Sequence, residues 1–455
     1  MTFLEQLAEA LPDGALVTDP DIVEGYRYDR TDWVQPGQPV GVAFATTTEH
    51  VAAAVKVAAA HRVPIVPRGA GSSLCGGASA IDGALVLCLE RMDRILDIDP
   101  VDQMAVVEPG VINADLSTAV GDQGLFYPPD PASQTFCSIG GNVATNAGGL
   151  CCVKYGVTRD YVLGLEVVLA DGTVIETGRR TIKGVAGYDL TQLLVGSEGT
   201  LGIVTRVRVR LRPAPSGAST MVAFFPTAAA AGDAVAAIAR SGLQLSLLEI
   251  MDRATVGVVD DWKHMGLDRD AAALLLAQSD SPEPLRAEEV ERAATLCDQA
   301  GASYTAFTSD PAEAEALLQA RRLAGPAIER LGEAIWDDVG VPRSRVPELI
   351  ARIEEVAERR EVRVFTFGHA GDGNLHPLFS VPRGDEDARA RTLEAFDEVV
   401  EIALELGGTI TGEHGVGRIK RKFLAAEVGT ANLEVQRTIK RALDPAGILN
   451  PGRAL

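Results

Sequence analysis

Arg68-Gly69-Ala70-Gly71-Ser72-Ser73-Leu74-Cys75-Gly76-Gly77 follows directly on a short apolar segment, 63–67, that reads as a strand. Glycines at such a place let backbone N–H groups approach a pyrophosphate and form an anion-binding nest. The GxGxxG spacing is missing, so a doubly wound dinucleotide fold is a poor reading. Taken alone, the loop is equally well explained as a structural turn. A second cluster, Ser138-Ile139-Gly140-Gly141-Asn142-Val143-Ala144-Thr145-Asn146-Ala147-Gly148-Gly149, shifts that balance. A third, Gly196-Ser197-Glu198-Gly199-Thr200-Leu201-Gly202, shifts it further. Three such stretches in one half of a chain favour close backbone approach to a large dinucleotide cofactor over turns alone.

Around these loops the pattern is of short strands, at 84–89 and 104–108 and where Val207, Val209 and Leu211 alternate with Arg206, Arg208 and Arg210, with a hairpin at 163–176 around Asp171-Gly172. Thr46 and Glu49 read as a capping box that opens a helix running to about residue 61. The run Pro213-Ala214-Pro215-Ser216-Gly217 marks a domain boundary. Beyond it, strands near 220–225, 245–250, 272–278, 303–308 and 362–368 alternate with alanine-rich helices near 228–240, 284–300, 311–330, 343–359 and 386–406. That alternation predicts a sheet covered by helices on one face, an α+β arrangement.

The last third holds Gly368-His369-Ala370-Gly371-Asp372-Gly373-Asn374-Leu375-His376. Asp-Gly between apolar runs is a strong hairpin signal. Centring the turn on Asp372-Gly373 pairs 369 with 376 and sets both imidazoles on one face, about 5 Å apart between Cβ atoms. Glu413, in Gly412-Glu413-His414-Gly415, completes a set of two imidazoles and one carboxylate suited to zinc, manganese or iron. Zinc is the first choice. His414 would project differently from Glu413 and is available as a base. The plain alternative is a surface pair of histidines. Arg321-Arg322, Arg343 and Arg345 are candidates for an anionic substrate, although any single arginine is more often a solvated helix face.

Composition bounds the function. A net charge of −21 over 455 residues argues against nucleic acid or an anionic membrane as the main partner. No apolar run has the length of a membrane span, and residues 1–11 lack the pattern of a signal peptide. The six cysteines, among them Cys151-Cys152, show no CxxC spacing, so a reduced, cytoplasmic setting is expected.

The motifs at 67–77, 128–149, 196–202, 368–377 and 412–417, with the closing Ile448-Leu449-Asn450-Pro451-Gly452, together resemble the FAD-linked oxidases of the vanillyl-alcohol oxidase superfamily. Within it the chain is most similar to the glycolate oxidase catalytic subunit and the D-lactate and D-2-hydroxyglutarate dehydrogenases. The resemblance implies an α+β chain: a two-subdomain FAD-binding domain over 1–213, a ferredoxin-like antiparallel-sheet cap domain over 218–418, and a helical tail over 419–455 that returns to the FAD domain. It implies FAD contacts at Pro67, Arg68, Gly69, Ala70, Gly71, Ser72 and Ser73, with Gly76 and Gly77 nearby. It implies further ones at Pro129, Ser133, Gly140, Gly141, Asn146, Gly149, Glu198, Gly202, Ile203 and Asn450. His369, His376 and Glu413 match the metal ligands, His414 the base, and Arg321 the substrate-carboxylate arginine, with Arg322 as its fallback.

Two positions bear on substrate. The D-2-hydroxyglutarate enzymes hold the distal carboxylate with a threonine and a lysine, which align here with Gly325 and Trp336. An unpaired second carboxylate would be costly in a pocket. The expected reaction is therefore oxidation of a short D-2-hydroxy acid, D-lactate or glycolate, to the 2-oxo acid, with D-2-hydroxyglutarate as the alternative. The electron acceptor is left open between quinone, cytochrome, electron-transfer flavoprotein and oxygen. Through it the chain would be peripheral to the inner face of a membrane; a homodimer is the assembly considered. Readings from other classes are a metal-dependent hydrolase with a nucleotide-binding domain and a non-catalytic flavin-binding subunit.

Overall fold

The computed structural model describes residues 1–31, 33–181 and 183–455. The chain divides into two compact units. The first comprises Met1–Gly149, Val157–Ala214 and Glu413–Leu455, and the second Leu150–Gly156 and Pro215–Gly412.

The first unit holds two sheets of different character. One has four strands in the order Leu16–Val17, Gly41–Phe44, Leu85–Cys88 and Ile65–Arg68, the last three parallel. Gly41–Phe44 and Leu85–Cys88 are buried at every position, as their unbroken apolar sequence requires of parallel strands covered on both faces. The helix Thr48–His61 lays Val51, Ala54, Val55 and Ala58 into the same core as Leu85 and Leu87. Its N-cap is Thr47, whose hydroxyl accepts from the His50 N–H, one residue later than the sequence pattern suggests. The second sheet is antiparallel, in the order Ile95–Asp99, Met104–Val107, Ile203–Arg210, Val162–Val168 and Val174–Glu176. Along Ile203–Arg210 the alternate residues Ile203, Thr205, Val207 and Val209 are buried and Val204 and the arginines are not, the period-two pattern of a strand with one covered face.

The chain end closes onto the first sheet. Ile65 donates its N–H to Ile448 at 2.7 Å, and its carbonyl accepts from Asn450 at 2.8 Å. The closing segment thus lies beside the strand that feeds the first glycine loop.

The second unit is built on one antiparallel sheet. Its order is Tyr304–Thr308, Ser219–Phe225, Ala273–Ser279, Leu247–Asp252, Arg363–His369, Asn374–Val381 and Glu333–Trp336, with Val339–Gly340 also paired to Asn374–Val381. Ser219–Phe225, Leu247–Asp252 and Asn374–Val381 are buried along their whole length, so both faces are covered there. The sequence pattern missed the helix Arg253–Lys263, which opens on Asp252 as its cap and carries Gly257 and β-branched residues unfavourable to helix. It also ran 311–330 together; the structure has Pro311–Arg322 and then Ala324–Glu329, with Pro326 tolerated in the first turn of the second helix. Among the described residues, no helix is long and apolar enough to cross a membrane.

Candidate active site

In the first unit the glycine-dense segments meet each other. A Cβ at Gly69 would fall 2.4 Å from the Ser138 hydroxyl, and one at Gly199 only 2.5 Å from the Pro67 ring. Ala70 donates its N–H to Ser138 Oγ, and Glu198 donates its N–H to the Ala144 carbonyl. Asn450 bridges two of the loops, its Nδ2 donating to Gly77 O at 3.1 Å and to Glu198 O at 2.7 Å. Larger side chains would hold these segments apart. The result is a half-buried cradle of Gly, Ala and Ser from 69 to 73, with Gly71 at φ +70°, which fits the backbone nest a pyrophosphate needs.

Several of the other expected cofactor residues serve the packing of the unit itself. Gly140 lies against the Pro109 backbone and Gly149 against Asp130. Gly202 packs on Val167, just ahead of Ile203 at the start of its strand. Gly141 donates to Ser138 Oγ, and Asn146, at φ +53°, accepts the Arg159 N–H. Pro129 and Ser133 contribute carbonyls, to Asn113 Nδ2 and to the Cys137 N–H. Arg68 folds over its own loop, donating to Tyr28 O at 2.7 Å, and fills the space a Gly71 Cβ would take. Gly76 and Gly77 are held by the hydroxyls of Thr31 and Ser73.

Two residues that shape this cradle carried no motif signal. Buried Asp29 accepts from Thr31, Ala78 and Ser79. Arg453 is buried and donates to Gly76 O and Ser79 O, each at 2.6 Å. Both act across long stretches of sequence, where no local pattern reports them.

In the second unit His369 and His376 do lie together, by a different register from the one the turn suggested. His369 pairs with Asn374, and His376 pairs with Phe367, so the turn takes up Ala370 to Gly373 rather than Asp372-Gly373 alone. Asp372 and Gly373 both donate to the His369 carbonyl. The slip is two residues, which preserves the face because strand side chains alternate with period two. The imidazoles are therefore diagonal neighbours, 5.1 Å between centroids and edge to face. Both are almost fully buried, which removes the surface-pair alternative.

One ring is hydrogen-bonded to a carboxylate, and the other has a carboxylate nearby. His369 Nδ1 is 2.7 Å from Glu249 Oε1, which leaves Nε2 directed away from that partner. His376 Nδ1 stands 3.8 Å from Asp338 Oδ1. Asp338 also accepts from Asn374 Nδ2 and from the Thr411 hydroxyl. An imidazole anchored through one nitrogen to a carboxylate is the usual state of a metal-ligating histidine, so the donor set fits a divalent metal.

Glu249 is the residue that sequence reading overlooked, although a carboxylate inside the apolar strand Leu247–Asp252 was a visible anomaly. Its second oxygen accepts from Arg321 Nε at 2.6 Å. Burial pushes the Glu249 carboxyl up, but the charges of His369 and Arg321 and their hydrogen bonds more than offset this and hold it below its ordinary value. Arg321 is buried with its guanidinium 4.7 Å from the Phe367 ring centroid. Arg322 is an exposed ion-pair partner of Glu315, and Arg345 of Glu348. Trp336 meets Phe367 edge-on, and a Cβ on Gly325 would come within 2.6 Å of the indole.

Glu413 and His414 open the closing segment of the first unit, with His414 Nε2 3.9 Å from Glu413 Oε1. They follow Gly412, which ends the second unit packed so tightly on Asn374 that a Cβ would collide with its amide at 2.2 Å.

A small-residue cradle in one unit, and buried histidines with carboxylates beside them on an antiparallel sheet in the other, fit a two-domain flavoprotein. A model of the FAD binding domain matches residues 39–178, and one of the C-terminal domain of FAD linked oxidases matches residues 214–454. The chain belongs to the FAD-linked oxidases and is an FAD-dependent oxidoreductase. It is 43% identical to the glycolate oxidase subunit GlcD of Bacillus subtilis, over 94% of this chain and 91% of that one. It is 34% identical to a D-lactate dehydrogenase of Anaerostipes hadrus, over 99% and 96% of the two chains. The fold is that of the vanillyl-alcohol oxidase type: a 4-ethylphenol oxidase from Gulosibacter chungangensis superposes with a TM-score of 0.82 at 20% identity, covering 99% of this chain and 96% of that one.

Proposed function

We propose that the chain oxidises a short, monocarboxylic D-2-hydroxy acid, D-lactate or glycolate, to the corresponding 2-oxo acid. The observation that carries this reading is the buried array Arg321–Glu249–His369, which sets an oriented cation beside an oriented imidazole. A carboxylate substrate needs the first, and activation of its hydroxyl needs the second. The names of the relatives, glycolate oxidase subunit and D-lactate dehydrogenase, support the same substrate class.

Bound FAD would accept the α-hydrogen and two electrons of the substrate. A divalent metal held by His369, His376 and Glu413 would polarise the substrate hydroxyl. Chain continuity supports Glu413 as the third ligand, since it lies one peptide bond, about 3.8 Å between Cα atoms, beyond Gly412. Zinc suits this donor set, and manganese or iron would also be accepted by it. His414 would take the hydroxyl proton on a ring nitrogen, a contribution of about 10²–10⁴ in rate for a well-placed base. Arg321, its Nε committed to Glu249, would present its terminal nitrogens to the substrate carboxylate.

D-2-hydroxyglutarate is the weaker alternative, because an indole seated against Gly325 offers no cation to a second carboxylate. The hydrolase reading has no support left in a chain that belongs to the FAD-linked oxidases. Anaerobic bleaching of the flavin with glycolate, D-lactate, L-lactate and D-2-hydroxyglutarate tests the proposal. Glycolate or D-lactate should bleach it fastest; bleaching by D-2-hydroxyglutarate alone would sink the monocarboxylate assignment.

A further inference from the structure

Glu198 is a fully buried carboxylate with an uncommon set of partners. Its two oxygens accept from two consecutive backbone N–H groups, Oε1 from Val416 and Oε2 from Gly417, each at 2.8 Å. Those amides belong to the segment that begins with Glu413 and His414. The segment can wrap a carboxylate only because of its glycines. Gly415 has φ +95° and Gly417 φ +51°, and a Cβ on either would press on Glu198 Oε1 at 3.1 Å or on the Cys75 carbonyl at 2.1 Å.

The backbone of Glu198 is itself held from two sides. Its N–H donates to Ala144 O at 2.8 Å and its carbonyl accepts from Asn450. Its backbone sits at φ +51°, a strained region for a residue with a side chain that persists only where the surroundings over-determine it. The cation whose charge acts on it, Arg453, spends its guanidinium on the carbonyls of Gly76 and Ser79. A buried carboxyl satisfied almost wholly by main-chain amides is a costly way to tie two loops. What it supplies over a neutral tie is a two-pronged, rigid grip.

We propose that Glu198 is a positioning residue for the oxidation, fixing the backbone two residues beyond His414 and thereby the placement of its imidazole. This goes beyond cofactor contact, and it rests on the reading of His414 as the base. A displacement of about 1 Å at a reacting group can cost about 10²-fold in rate, so a grip of this kind is consequential without touching substrate.

The test compares FAD-loaded wild type with Glu198→Gln, which keeps the size but sets an NH₂ against one of the two amides. Hydrogen exchange at Val416 and Gly417 should quicken at least about 10-fold, while amides of 138–149 stay unchanged. Flavin reduction by substrate should slow about 10–100-fold with KM within about 3-fold. In a His414→Ala background the same substitution should have little further effect on reduction, because it acts through that ring. Unchanged exchange, or an equal loss of rate in the His414→Ala background, overturns the proposal. So does loss of FAD in place of loss of rate, which would make Glu198 a cofactor ligand. If Glu198→Gln does not accumulate as folded protein, Glu198→Asp carries the test: one methylene shorter, it cannot reach both amides, and an unchanged reduction rate overturns the idea. Near-normal reduction in His414→Ala alone would instead sink the base assignment, leaving the exchange result standing.

Discussion

Glu198 and Glu249 are the same residue type, both fully buried, one in each unit, and their surroundings drive them in opposite directions. Burial pushes the Glu198 carboxyl up to about 7, because main-chain amides and one nearby guanidinium only partly compensate. Burial acts on Glu249 too, but a bonded arginine and a bonded imidazole reverse it. Amides can order a carboxylate without repaying the loss of water; full opposite charges can do both. Glu198 therefore ties chain to chain, and Glu249 orients the side chains of Arg321 and His369.

The largest effect that would break this contrast is loss of Glu249. Glu249→Leu leaves the Arg321 cation buried with no carboxylate and frees the His369 ring to rotate. Removing one partner of a buried pair costs about 3–5 kcal/mol, so urea unfolding of the FAD-loaded protein should show a loss of that size. Metal affinity should fall about 10–100-fold by equilibrium dialysis, as when a histidine ligand loses its backing carboxylate. A variant as stable as wild type would show that the array is dispensable.

A smaller effect separates the two by sign. Between about pH 4.5 and about 7 folded Glu198 keeps a proton that the unfolded chain has released. Stability assigned to it therefore falls as pH rises through that window, by up to about 1.4 kcal/mol per unit. Glu249 behaves oppositely: its contribution is present above the ordinary carboxylate value of 4.5 and is lost only in acid. Thermal melts of FAD-loaded Glu198→Gln should therefore gain on wild type steadily from about pH 5 to about pH 7.5. A flat difference would mean that Glu198 is ionised throughout, and the contrast with Glu249 would shrink to one of partners alone.

The two carboxylates also show what the sequence could and could not disclose. The glycine loops were legible because close approach needs small residues, and a composition signal survives without knowing the fold. Shared placement of His369 and His376 was legible because alternation along a strand tolerates a two-residue slip; the turn itself was not, since Asp372-Gly373 is satisfied by two turn lengths. Glu249 is 120 residues from His369 and 72 from Arg321, so nothing local announced the array. Its only trace was one charge in an apolar strand. The role of Glu198 was hidden for the same reason, since Val416 lies 218 residues away.

The smallest effect probes the backbone side of Glu198. Asn450→Ala removes the Nδ2 donor to Glu198 O and Gly77 O and leaves the carboxylate partners untouched. Two buried hydrogen bonds to neutral carbonyls amount to about 1–3 kcal/mol. Because that bond reaches the main chain, the pH slope assigned to Glu198 should survive while overall stability drops. If the slope vanished as well, the left-handed backbone at Glu198 would be held by Asn450 alone. The raised carboxyl would then follow from how the backbone is propped, with burial only its consequence.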